Sequence, residues 1–191
     1  MKKLLFGLIA TIMLSATVNA QGTLRADFLK GKTQDQLIET FNQLTTEEKN
    51  ALWVEKMNQL LNEKLPAENL KLIQQMRDSH LKKDLDGFKK AALSLTQITP
   101  EDDFIAMFNV LNNYNYSGSF VGKTVISDLT IKDIKDFGLS QEVITEKLRD
   151  CNCRWTCDWY AGGNSGNCHV TSSGCGFMWA FECTGHVGPR P

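Results

Sequence analysis

The stretch "TTEEKNALWVEKMNQLL" (Thr45–Leu61) decides how most of this chain folds. Thr45 offers a hydroxyl to the free amides of a starting helix, and Glu48, three residues on, can reach back to it, which is the capping-box spacing. Trp53, Met57, Leu60 and Leu61 then recur at helical intervals and form one apolar stripe. The preceding stretch "TQDQLIETFNQL" repeats the device, with Thr33 and Gln36 at its start and Leu37, Phe41 and Leu44 behind them. On the other side, Pro66 ends the helix or begins the next, where Leu70, Ile73 and Met76 share a face. Phe88, Ala92 and Leu95 do the same in "DLDGFKKAALSLTQ". "TPEDDFIAMFNVLNNY" starts with Thr99 as N-cap, Pro100 at the first helical position and three acids near the positive end of the helix dipole. Its Phe104, Phe108 and Leu111 face inward. Five amphipathic helices on short links predict a small helical bundle.

Beyond it, "NYNYSGSFVGKTV" carries Gly118 and Gly122 and reads as a loop or short strand. "SDLTIKDIKDFGLSQEVITEKLRD" returns to helix, with Gly138 as a stop and Ser140 as the next cap. The composition of the whole chain is ordinary for a globular protein: 191 residues, 42% hydrophobic and 23% charged. A formal net charge of -1 gives no electrostatic argument for nucleic acid or an anionic membrane surface.

The N-terminus reads as an export signal. Lys2 and Lys3 precede the apolar core "LLFGLIATIML" (Leu4–Leu14), which is too short for a stable membrane anchor. "VNA" (Val18–Ala20) places the cut between Ala20 and Gln21. The mature chain is expected to be secreted, into periplasm or medium.

Export changes the meaning of the cysteines. All six lie in the tail: Cys151, Cys153, Cys157, Cys168, Cys175 and Cys183. In an oxidising compartment such a cluster reads as a disulfide framework whose pairing stays open, except that Cys151 and Cys153 are too close to bridge without strain. A segment of this length cannot bury enough apolar surface to offset its own chain entropy. Three bridges at about 2–4 kcal/mol each would supply roughly 6–12 kcal/mol. The expected architecture is therefore mainly α: a signal peptide (1–20), a helical bundle (21–150), and a small disulfide-stapled, β-hairpin-containing C-terminal module (151–191).

The tail also holds three of the four tryptophans. "CHVTSSGCGFMWAFEC" reads as two strands about the turn "SSGCG". In an extended second strand Phe177, Trp179 and Phe181 would share one face with Cys183, and both faces would be largely apolar. These rings form either a mini-core on the disulfides or an aromatic edge for binding.

Enzyme chemistry finds little support. The cysteine gaps do not match a zinc knuckle, no Cys-x-x-Cys pair exists, and His80, His169 and His186 have no nucleophile or carboxylate placed with them by any motif. No catalytic residue, metal ligand or cofactor is assigned.

Two stretches carry a family likeness: "LTTEEKNALWVEKMNQLL" (Leu44–Leu61) and the tail, above all "CNCRWTCDW" (Cys151–Trp159) and "SGCGFMWAFECTG" (Ser173–Gly185). In these the chain resembles the bacteriocin fulvocin C-related proteins. The family's tails often carry more cysteines than six, so no bridge pattern is carried over. The resemblance implies a ribosomally made antibacterial precursor, with the tail as the toxin-like part and the bundle as leader, carrier or protective segment. On that reading Trp155, Trp159, Tyr160, Phe177, Trp179 and Phe181 contact a bacterial envelope target or the membrane interface, and an export or processing protease cuts near Lys147 and Arg149. The tail's near-zero charge favours a defined target over bulk attraction to lipid. The alternative is a secreted, non-enzymatic binding module in which bundle and tail stay joined and recognise a surface protein or glycan.

Overall fold

The computed structural model describes residues 24–120, 126–138 and 171–183. Among them lie seven α-helices: α1 (Leu24–Leu29), α2 (Gln34–Gln43), α3 (Thr46–Leu61), α4 (Ala67–Leu81), α5 (Leu85–Leu95), α6 (Glu101–Phe108) and α7 (Asp128–Asp136). Two short strands follow, β1 (Thr171–Cys175) and β2 (Phe181–Cys183), paired antiparallel with Thr171 opposite Cys183 and Cys175 opposite Phe181. The chain is mainly helical. No helix among the described residues is long and apolar enough to cross a membrane.

The helix starts follow from local chemistry. Thr33 Oγ1 accepts from the Gln36 amide while Gln36 Oε1 accepts from the Thr33 amide. Thr45 and Glu48 make the same reciprocal pair at α3, so two otherwise orphaned donors are satisfied at each helix. Ser127 caps α7 through the Thr130 amide, and Gly138, at φ +76°, lies just past its end. Pro66 is the N-cap of α4.

The start of α6 corrects the sequence reading by one residue. Pro100 is its N-cap, and Thr99 stands outside the helix, fully buried, its hydroxyl accepting from Asn69 Nδ2 at 2.8 Å. Thr99 thus joins α4 to α6. The end of α6 is a larger correction. The apolar pattern carries helix as far as Leu111, but the helix stops at Phe108. The physical reason is competition for backbone groups. Arg25 Nε donates to the Leu111 carbonyl at 2.6 Å, and Lys56 Nζ donates to the Asn112 carbonyl. Gln59 takes both backbone groups of Tyr114, donating to its carbonyl and accepting from its amide. Side chains from α1 and α3 thus replace the partners a longer α6 would have supplied.

The predicted stripes meet in one core. Phe41, Trp53, Met57, Ile73, Phe88 and Phe104 are all buried in it. α4 packs along α5, α3 against α4, and α7 against α5. The hairpin packs against α2 through β1, and its connecting turn touches α6 and α7.

Candidate functional site

The hairpin 171–183 is the part of the tail that the structure describes, and its turn differs from the sequence reading. "SSGC" lies in β1 and not in a turn. The reversal occurs at Gly176–Ala180, where one 3-10 turn spans Phe177–Trp179. Met178 and Trp179 both sit in the left-handed region, at φ 53° and 54°. That breaks the alternation a straight strand would have had. It turns the indole of Trp179 and the ring of Phe177 into the bundle.

Of the two arrangements open for the tail's rings, a mini-core on the disulfides or an aromatic edge, three rings follow neither: they pack into the core of the bundle. Phe177 is 1% exposed, Trp179 0% and Phe181 9%. Phe177 enters a ring cluster: it stacks on Phe104 with centroids 5.9 Å apart and meets Phe137 edge-on at 5.4 Å. Trp179 stands edge-to-face against Phe41 at 5.1 Å and Trp53 at 6.1 Å. Its Nε1 donates to the carbonyl of Asn109 at 2.8 Å, which satisfies the polar end of a buried ring.

A polar clasp closes the rim of this seat. Asn42 Nδ2 donates to the Ser173 carbonyl at 2.8 Å, and Ser173 Oγ donates to Asn42 Oδ1 at 2.9 Å. Lys49 Nζ reaches Ser173 Oγ at 3.4 Å and lies over the Phe41 ring at 5.2 Å from its centroid. Gly174, at φ +119°, lies so close to α2 that an added Cβ would meet Ile38 Cγ2 at 2.6 Å.

Two magnitudes decide what this arrangement does. Burying Phe177, Met178, Trp179 and Phe181 is worth about 1.5–3 kcal/mol each, roughly 6–12 kcal/mol in all as an upper figure. The two left-handed residues cost about 1–3 kcal/mol each. Burial wins, but only while the hairpin is seated. The turn conformation therefore belongs to the bundle–hairpin pair and not to the hairpin alone.

A network of buried charge joins α1 and α3 to the segment after α6, and no motif announces it. Arg25, Glu55 and Lys56 are all buried. Glu55 Oε2 accepts from the Arg25 amide at 2.8 Å, and Arg25 Nη2 donates to Asn113 Oδ1 at 2.6 Å. Lys56 Nζ donates to the carbonyls of Ala106 and Asn112. Burial, helped by the nearby Arg25 charge, holds the Lys56 ammonium well below the usual lysine range. Burial lowers Arg25 against the opposing pull of Glu55, and burial raises the Glu55 carboxyl. Tyr114 Oη donates to Asp103 at 2.6 Å, and burial together with that bond pushes its hydroxyl upward. The network ties down the backbone at Ala106 and at Leu111 and Asn112, on either side of the Asn109 carbonyl that receives Trp179. His80 is half-buried, with its ring 5.5 Å from that of Phe88, and burial lowers it.

Of the other residues singled out from the sequence, Cys175 and Cys183 lie on β1 and β2. Ala20, Gln21, Lys147, Arg149, Cys151, Cys153, Cys157, Cys168, Trp155, Trp159 and Tyr160 fall outside the described residues, as do Ser140, His169 and His186. The residues that build the seat's polar contacts, Asn42, Lys49 and Asn109, carry no sequence signal beyond their place on or beside amphipathic helices.

The chain was compared with family models, with curated proteins and with solved structures, and none of them matches it.

Proposed function

We propose that this is an exported, non-enzymatic, bacteriocin-like precursor, in which a disulfide-stapled tail (151–191) acts on competing bacteria and the helical bundle carries it in a masked form. The observation that carries this reading is the seating of Phe177, Trp179 and Phe181, three of the six proposed target contacts, inside the bundle core. A segment that is to engage an envelope target through aromatic rings is kept from water until needed, and an exposed apolar patch during export would invite aggregation. The order of Lys2 and Lys3, the apolar Leu4–Leu14 and the cut after Ala20 supports export, and six cysteines in the tail alone support bridging there. The test is growth inhibition. Full chain, chain cut ahead of Cys151, and tail recovered from the cut chain under denaturant and refolded oxidised are each applied to related strains. The free tail is expected to inhibit and the uncut chain to be weaker. No inhibition by any of the three sinks the antibacterial reading.

A second reading has its own observation. Because hairpin and helices share one core, the chain can also act joined, as a binding module for a surface protein or glycan. Intact, untrimmed chain as the sole secreted product would favour it.

A further inference from the structure

We infer that the bundle binds the hairpin as a separate partner: after the backbone is cut between α7 and β1, the tail remains in its seat without any covalent link, and release takes a second event that empties the seat. The role of this retention in restraining an antibacterial tail rests on the reading above. The retention itself rests on geometry.

No cysteine stands on the bundle side of the cut. The sequence places all six at or after Cys151, so once the chain is cut ahead of that residue no disulfide can join tail to bundle. Whatever holds them is non-covalent. Phe177 lies among Phe88, Phe104, Phe108 and Phe137 at centroid distances of 5.4–5.9 Å. Trp179 fills the adjoining slot against Phe41 and Trp53. Aromatic anchors buried centrally, with a polar clasp at the rim, are the anatomy of a strong protein–protein contact. Here the rim is Asn42, Lys49 and Ser173, and the buried anchor also donates a hydrogen bond, from Trp179 Nε1 to Asn109.

The backbone of the turn is fitted to the seat as well. Met178 and Trp179 hold left-handed conformations that side chains other than glycine seldom adopt. The seat imposes that shape, so the hairpin leaves it only by also changing conformation. Proteolysis alone changes neither the contacts nor the strain. It converts an internal contact into a two-piece complex, which then dissociates by mass action. An envelope target that offers Phe177 and Trp179 an equally apolar slot is the event that would displace it.

The experiment uses the full chain with a recognition sequence for a site-specific protease placed within residues 139–150. The chain is folded under oxidising conditions, cut, diluted to about 1 μM, and run on a sizing column with the fractions weighed by mass spectrometry. Both pieces are expected in one peak. Trp179→Ala is expected to weaken the association at least about 100-fold, so that the tail elutes alone. Asn42→Ala, which leaves every ring in place, is expected to give a smaller loss. Circular dichroism before cutting shows whether each variant still has its helices. Should Trp179→Ala lose them, Asn42→Ala and a dilution series of the cut wild type carry the test. Tail running free from the cut wild type at that concentration overturns the inference. So does co-elution that neither substitution weakens. The growth assay separates the two ideas: a tail that is retained but inert sinks the antibacterial reading alone, and a tail that is active but never retained sinks this inference alone.

Discussion

Replacing Trp179 by alanine asks whether helices far away in sequence depend on the hairpin. The indole is fully buried, stands edge-on to rings from α2 and α3, and donates to the Asn109 carbonyl at 2.8 Å. Truncating a buried aromatic residue costs about 3–5 kcal/mol, and an unpaired buried carbonyl adds about 1 kcal/mol. Relief of the left-handed strain at residue 179 returns little, since alanine there is still strained. The net expected loss is roughly 4–6 kcal/mol, a large part of an ordinary domain's stability. Urea unfolding followed by far-ultraviolet circular dichroism is the suitable assay, because its signal comes from the helices and hardly from a short hairpin. With a slope of about 1–3 kcal/mol per molar urea, the midpoint should fall by more than about 1 M. Trp179→Phe, which keeps a ring and loses the hydrogen bond, should fall by a fraction of that. A helical transition with an unmoved midpoint in Trp179→Ala refutes the reasoning, since the bundle would then be indifferent to what fills its central slot.

Gly174→Ala drives a methyl into Ile38 Cγ2. It should destabilise the chain by about 1–3 kcal/mol, with Ile38→Ala in the same chain recovering part of the loss; additive losses in thermal melts would rule the contact out. Lys56 and Tyr114 set opposite alkaline trends. The folded chain gives up the Lys56 proton before the unfolded chain does, at an ordinary value of 10.5, so stability rises with pH toward that value. The folded chain keeps the Tyr114 proton beyond the ordinary 10.0, so stability falls above it. Urea midpoints should therefore climb and turn over on the alkaline side, Lys56→Met removing the climb and Tyr114→Phe the fall; unchanged profiles in both variants would contradict the assignment. Glu101 Oε1 accepts from the Ser127 amide at 3.1 Å, from Ser127 Oγ at 2.5 Å and from Thr130 Oγ1 at 3.0 Å. Glu101→Ala should cost about 1.5–3 kcal/mol and speed proteolysis within α7 ahead of the other helices; cleavage that begins elsewhere would show that this tie does not hold α7.

The helical part of the fold was legible because its signals are local. A threonine and a glutamate three residues apart specify a helix start, and the stripe through Trp53, Met57 and Leu60 specifies the face to be buried. The end of α6 was not legible. "NVL" (109–111) continues the helical pattern, and only side chains arriving from Arg25, Lys56 and Gln59, dozens of residues upstream, stop it. The hairpin misled for a related reason. Cysteine, glycine and tryptophan crowd the tail, and that composition suggests a unit that stands by itself. Yet Trp179 completes its packing with Phe41 and Trp53, residues more than a hundred positions away, and no pattern within the tail reports them. Alternation of apolar residues in "FMWAF" suggested a strand, whereas the seat's shape selects two left-handed residues there. The buried charges carry no sequence signal because Glu55 and Lys56 stand between stripe residues on α3, where charge ordinarily faces water.

Amide hydrogen exchange on the uncut, oxidised chain, read by mass spectrometry, tests most directly whether hairpin and helices form one cooperative body. Peptides covering 171–183 and peptides covering α3 should exchange with the same slow, global opening, and denaturant should speed both together. Rapid exchange across 171–183 while α3 stays protected would mean that the tail merely rests on the bundle, and the seat would then hold nothing.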